Sequence, residues 1–260
     1  MKKLFMFIAV ILFSANMIAQ DKLYLLFEFM KVDNEQETAY GETESFWQKI
    51  HDQRVKNGDI IGWDLWSLQP GGEDQGYQYL TVQVFKDPVK MFQGGGDLMA
   101  AAKKAYPAMS EQDLINKLNQ SAKSRDLAAR FYLEQIDLTK GQFDMPLGTV
   151  AQINLMKVGM DNYAKYENAE SKTFKLDHQK QVDKGNRASW ELLRVMAPTG
   201  SAAYASHITV DMFKDFNQYF GMPNDTGTVY TATQEKEFQE GLASRDLKWA
   251  YIATLIKKVR

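Results

Sequence analysis

No cysteine occurs among the 260 residues. Disulfides, thiolate zinc centres and cysteine nucleophiles are thereby excluded. Histidine is scarce too: His51, His178 and His207 stand alone, in no HxH or HExxH spacing, so the sequence points to no metal site. Basic charge is not in excess, with 31 Lys and Arg against 33 Asp and Glu, and no basic stripe is visible. Nucleic acid is therefore a poor partner. The longest apolar run, Leu4–Phe13, is too short to span a bilayer. Nucleophile motifs of the GxSxG or SxxK type are missing. The Gly94–Gly96 triplet lacks the Lys-Ser/Thr that a phosphate loop requires.

What is present begins with an address. Lys2 and Lys3 precede the apolar run, and small and polar residues follow it up to Gln20. That three-part layout is a secretory signal peptide over residues 1–20, with cleavage expected near Gln20–Asp21. Export to a periplasm or the cell exterior follows. With Lys2 and Lys3 set aside, 29 basic residues face 33 acidic ones. A mature chain without covalent staples must rely on its core, and its length suffices to build one.

The mature chain repeats itself. Met30–Val32 (MKV) returns at Met156–Val158, and Tyr40 and Glu44 return as Tyr166 and Glu170. His51, Val55, Gly58, Trp63 and Leu65 match His178, Val182, Gly185, Trp190 and Leu192. TVQVFKD at Thr81–Asp87 matches TVDMFKD at Thr209–Asp215, and SRDL at Ser124 recurs at Ser244. Ordered matches with small drift mark a duplication. The halves occupy residues 21–140 and 148–260, with a Gly- and Pro-bearing linker over residues 141–147.

Each half alternates elements in the order β-α-β-β-α-β. Its first helix stops at Gly58 or Gly185, and Asp87 with Pro88 reads as a helix cap and first turn, with Asp215 as its counterpart. The expected fold class is α+β: two tandem ferredoxin-like repeats packed as one pseudo-symmetric α/β barrel. A four-stranded sheet with helices on one face must cover the other, and here the partner sheet is supplied in cis. The chain is expected as a monomer with intramolecular pairing, or as a homodimer.

Candidate site residues follow from the first helices. Tyr40, Glu44, Trp47 and His51 fall at i, i+4, i+7 and i+11, one stripe within about 60° of arc. Their counterparts Tyr166, Glu170, Phe174 and His178 carry one extra residue after Glu170, which spreads the stripe to about 120°. A single insertion in a helix is absorbed as a π-bulge, so widening is expected near Ser171–Thr173. The stripe reads either as an acid/base or ligand-binding set, or as a polar network fixing helix to sheet. His207 on a strand could converge with Glu170 and His178. Alternation places Glu28 with Tyr24, Leu26 and Met30, and Asn154 with Gln152, on the face expected to line the barrel, as a second polar pocket. Arg125 and Arg245 of the SRDL motifs either clamp an anion or pair with a neighbouring acid.

The order Tyr, Glu, aromatic, His, Gly, Trp, followed by a TV..F strand, resembles the dimeric α/β-barrel superfamily, notably its NIPSNAP-like and EthD-like members. The resemblance covers nearly the whole mature chain. It implies the barrel, and it implies functions ranging over cofactor-free monooxygenases, haem-binding and haem-degrading proteins and small isomerases. Three readings stay open: an exported protein that binds or transforms a small apolar or aromatic molecule; a noncatalytic structural or interaction protein; and a haem-binding oxygenase-like protein using His51 or His178. The motifs themselves call for no cofactor.

Overall fold

Near-continuous apolar strands such as Leu23–Met30 require cover on both faces, and the fold supplies it. The computed structural model describes residues 22–33, 35–69, 76–223 and 227–260. The leader and its expected cleavage point lie outside the described residues. The first half runs β1 (Tyr24–Lys31), α1 (Glu37–Lys56), β2 (Gly62–Gln69), β3 (Tyr79–Phe85), α2 (Pro88–Phe92), α3 (Leu98–Ala105), α4 (Glu111–Gln120) and β4 (Asp126–Leu138). The second runs β5 (Val150–Val158), α5 (Tyr163–Ala169), a π-helical turn (Glu170–Phe174), α6 (Lys175–Asp183), β6 (Ser189–Ala197), β7 (His207–Phe213), α7 (Phe216–Phe220), α8 (Ala232–Ala243) and β8 (Arg245–Val259).

The protein is an α+β barrel. Its eight described strands close in the order β1-β3-β2-β8-β5-β7-β6-β4, every pairing antiparallel. The β2–β8 and β4–β6 seams join the halves and leave no free edge, which removes the usual site of aggregation. Bulges fall at matched places: between Phe29 and Met30 where β1 meets β4, and between Leu155 and Met156 where β5 meets β8. They sharpen the local twist that closure needs.

Alternation divides each strand between two cores. Leu25, Phe27 and Phe29 point into the barrel, where they meet Trp66, Leu80, Ile153 and Val210. Leu26 and Met30 point outward, against Tyr40 of α1, Trp63 and Leu65. Met156, Tyr166, Trp190 and Leu192 repeat that outer layer in the second half. The α1 and α6 helices end before left-handed glycines, Gly58 at φ 73° and Gly185 at φ 75°, a conformation that glycine adopts most readily. Asp87 caps α2 through the Val89 amide with Pro88 in the first turn, and Asp215 caps α7 through Gln218.

Candidate functional site

Each half holds a cleft between its first helix and the outer face of its sheet. The cleft of the first half, about 350 Å3, is lined by Glu28, Glu44, Trp47, His51, Arg54, Arg125 and Arg130 among others. The cleft of the second, about 220 Å3, is lined by Asn154, Glu170, Phe174, His178, Asp211 and Arg245 among others. Glu28 and Asn154 therefore do not face the barrel interior, as alternation was expected to place them. Their inward neighbours Phe27, Phe29, Ile153 and Leu155 fill that space, and the pleat turns the polar members to the helices. The two expected pockets in each half are one cleft.

The α1 stripe is buried at Tyr40, Glu44 and His51. Glu44, 1 % exposed, is met by Arg125 from the start of β4, an ion pair that ties helix to sheet. Burial raises the Glu44 pKa and Arg125 opposes that rise. Glu28 is gripped by Arg130 through Nε at 2.9 Å and Nη2 at 2.6 Å. The His51 ring lies between Trp47 and Trp63, at 5.7 and 5.0 Å. Arg54 donates to His51 Nδ1 at 3.1 Å, to Gln83 at 2.7 Å and to the Gly94 carbonyl at 2.6 Å. The glycine triplet is thus a seat for Arg54: a Cβ on Gly95 would come within 2.6 Å of its guanidinium.

The second half repeats the plan with different parts. His178 stacks on Trp190 at 4.6 Å, and Arg187 donates to its Nδ1. Arg187 also pairs with Asp211 at 2.7 Å, and Asp211 stands where Gln83 stands in the first half. Here the arginine comes from the loop before β6 rather than from the helix. Sequence comparison missed this pair because Arg54 aligns with Gln181, and Arg187 with Ile60.

The main difference is at the carboxylate. The π-helical turn spans Glu170–Phe174, where the inserted residue predicts widening. Glu170 is 2 % exposed and forms no ion pair among the described residues. Arg245, the counterpart of Arg125, instead donates to Met156 Sδ at 3.1 Å and lies over the Phe174 ring. The Tyr166 hydroxyl stands beside Glu170 and favours its ionised form, yet falls short of full hydrogen-bond geometry. Burial, only partly offset by Tyr166 and Arg245, pushes the Glu170 pKa up to about 7. Tyr166 Oη, Arg187 Nε and Arg245 Nε are buried without a hydrogen bond around this cleft. Among the described residues of the first cleft, the comparable atom is Tyr40 Oη.

His207 does not join Glu170 and His178. It is fully buried, with Nε2 at 2.9 Å from Glu167 and Nδ1 at 3.1 Å from Ser206. Burial works against ionised Glu167, but hydrogen bonds from His207 and Arg194 hold its pKa at about 2. This is a helix-to-strand anchor. Among the described residues no His, Asp and Glu gather as a metal site.

The imidazoles also do not fit a haem axial ligand. An arginine can only donate, so Nδ1 of His51 and of His178 must be the acceptor and the ring proton must sit on Nε2. An axial histidine needs the reverse, with Nδ1–H donating and the Nε2 lone pair free. Burial, then Arg54 and Arg125 for His51 and Arg187 and Arg245 for His178, drive both pKa values well below the usual range. Both rings are neutral and line their clefts.

No family model matches the chain, and no curated protein matches it. Solved structures do share its barrel. A provisionally assigned monooxygenase from Fusobacterium nucleatum subsp. nucleatum is 10% identical, with 94% of this chain and 96% of that chain covered and a TM-score of 0.55. An anthrone oxidase-like protein is 11% identical, with 92% and 93% covered and a TM-score of 0.52. A provisionally assigned chlorite dismutase is 6% identical, with 92% and 96% covered and a TM-score of 0.50. At these identities the likeness is one of fold: the α+β barrel is common to all three.

Proposed function

We propose that the protein binds a small aromatic or apolar molecule in the cleft of its second half and that Glu170 exchanges a proton with it. The observation that carries this reading is a buried carboxylate without an ion pair, at the edge of a cavity, titrating at about 7. A base matched to neutral pH takes a proton from a weakly acidic hydroxyl or an activated C–H most effectively. Phe174, Phe238, Leu242 and Trp190 supply apolar walls for a ligand of about one or two rings. As the proton passes to Glu170, the anion left on the ligand faces Arg245 and Asn154. The anthrone oxidase-like protein that shares this barrel is named for an aromatic substrate, which supports the reading by analogy of fold.

The first half suits the second reading, a scaffold. Its carboxylates and its imidazole are each engaged by an arginine, so its polar groups serve one another. On the larger scale, we assign the chain to two tandem ferredoxin-like repeats, exported behind the leader and akin to NIPSNAP-like and EthD-like proteins. Internal matches, equal strand order β4-β1-β3-β2 and β8-β5-β7-β6, and matched bulges support the duplication.

The test is native mass spectrometry of exported protein for a copurifying ligand, followed by titration of that ligand and of a panel of phenols. Wild-type binding should strengthen between pH 6 and 8 as Glu170 ionises, and the pH dependence should vanish in Glu170→Gln. Unchanged binding and turnover in Glu170→Gln would sink the proposal.

A further inference from the structure

The barrel lumen contains a third cavity, separate from both clefts. It measures about 350 Å3 and lies at the end where β1, β2, β5 and β6 begin. Leu25, Phe27, Trp66, Ile153 and Val210 form its wall, and Phe143 and Met145 of the inter-repeat linker stand at its mouth. Lys258 holds that linker through Asp144 at 3.3 Å. Into this apolar space project two carboxylates, Asp64 and Glu191.

They occupy equivalent positions. Trp63-Asp64-Leu65 on β2 matches Trp190-Glu191-Leu192 on β6, and alternation sends the tryptophan and leucine outward in both. Packing alone gives no reason for an acid at an inward position of both halves, since neighbouring inward positions carry Trp66 and Leu193. Burying a carboxylate among hydrocarbon is costly unless a partner meets it.

The partners differ. Arg260 straddles Asp64, with Nη1 at 2.8 Å from Oδ1 and Nη2 at 2.9 Å from Oδ2. Gly62 makes this reach feasible, because a Cβ there would lie 2.8 Å from the guanidinium. Glu191 meets no cation among the described residues. Its Oε2 accepts from Gln135 at 3.0 Å, and its Oε1 accepts nothing among the described residues. Burial raises the pKa of Glu191, Gln135 opposes the rise and Asp64 adds to it. Arg260 is the only cation among the described residues lining the cavity, and Asp64 already engages it.

We infer that the lumen is a binding site for an apolar molecule bearing a single protonated amine, its hydrocarbon body along the barrel wall and its ammonium against Glu191. The volume falls within the range of small-molecule sites. The ammonium supplies the donor that Glu191 Oε1 lacks and completes the charge balance with Asp64 and Arg260. A carboxylate head would meet two like charges, and an alcohol would satisfy the donor without the charge.

Isothermal titration of the whole exported protein, below micellar concentrations, with octylamine, octan-1-ol and octanoate tests this. Octylamine should bind at least tenfold more tightly than octan-1-ol, and octanoate weakest. Glu191→Gln should weaken octylamine at least tenfold and leave octan-1-ol nearly unchanged. Ala151→Leu, which fills the wall of the lumen, should weaken both. Octanoate binding as tightly as octylamine overturns the inference, as does binding of none of the three to wild-type protein; both outcomes need no variant to fold. Glu170→Gln should leave octylamine binding unchanged, and a loss there would move the site to the helix–sheet cleft and overturn the lumen assignment.

Discussion

Arg125 reaches from the residue before β4 to close an ion pair on Glu44 in α1, while its counterpart Arg245 leaves Glu170 without an ion pair among the described residues. The two halves carry the same Tyr, Glu and Arg in the same order, so the contrast does not lie in residue type. It lies in the helix. α1 is regular over 20 residues, whereas the second half inserts a π-helical turn that begins at Glu170. A π turn adds a residue without adding a turn, which re-aims the side chains around it.

The Glu44–Arg125 pair should matter for stability, unlike an exposed ion pair. Glu44 is 1 % exposed, and removing its partner leaves a buried charge. Arg125→Met is expected to cost about 3 kcal/mol, in the range for breaking buried pairs. Arg245→Met breaks no ion pair and should cost about 1 kcal/mol, mainly packing on Phe174. Urea unfolding of the two variants measures the difference; equal costs would mean that the pair contributes nothing specific.

Glu170 should leave a signature in the pH dependence of folding. Its pKa is raised from 4.5 to about 7 in the folded state. The folded protein then binds the proton more tightly than the unfolded chain, so the stability this group contributes is present below pH 4.5 and is lost as pH rises through about 7. A rise of that size corresponds to about 3 kcal/mol. Glu170→Gln removes the ionisation. Its melting temperature relative to wild type should therefore rise between pH 5 and pH 8. A constant offset across that range would show that Glu170 titrates as an ordinary carboxylate.

Much of this was legible in the sequence, for stated reasons. Strands covered on both faces still leave repeat matches, so MKV, TV..F and SRDL aligned the halves. The cap at Asp87 and the widening after Glu170 follow from local rules of helix geometry. Which face of a strand looks inward does not: alternation alone puts Glu28 and Asn154 on the barrel side of their sheets, whereas they face the helices. Both sides of these strands are buried, so polarity carries little information about direction. Arg54 and Arg187 were invisible to alignment because the same contact is made from different elements. The paired Asp64 and Glu191 had a signal: an acid between two outward apolar residues in both halves.

The histidines should refuse haem. Arg54 and Arg187 hold the proton on Nε2 of His51 and His178. Haemin added to the protein should give a spectrum unaffected by His51→Ala or His178→Ala. A ligated Soret band abolished by either substitution would show that the arginine lets go and that the ring can reverse its tautomer.

The π-helical turn offers the sharpest separation of scaffold from site. Lys172 is its exposed member, so its deletion removes a residue without opening the core. The spacing from Glu170 to Phe174 and His178 then equals that from Glu44 to Trp47 and His51. Restored α-helical register should swing Glu170 toward Arg245 and reproduce the ion pair of the first half. An ion pair lowers a carboxylate pKa, so the pH-dependent loss of stability between 4.5 and 7 should shrink while overall stability holds or rises by about 1 kcal/mol. Ligand binding in the cleft should fall at the same time, because the proton acceptor is now engaged. If the deletion variant keeps both the pH profile and the binding of wild type, the inserted residue is only an irregularity of the helix. If it loses both while remaining folded, the turn is what converts a structural Tyr-Glu-Arg set into a chemically available one.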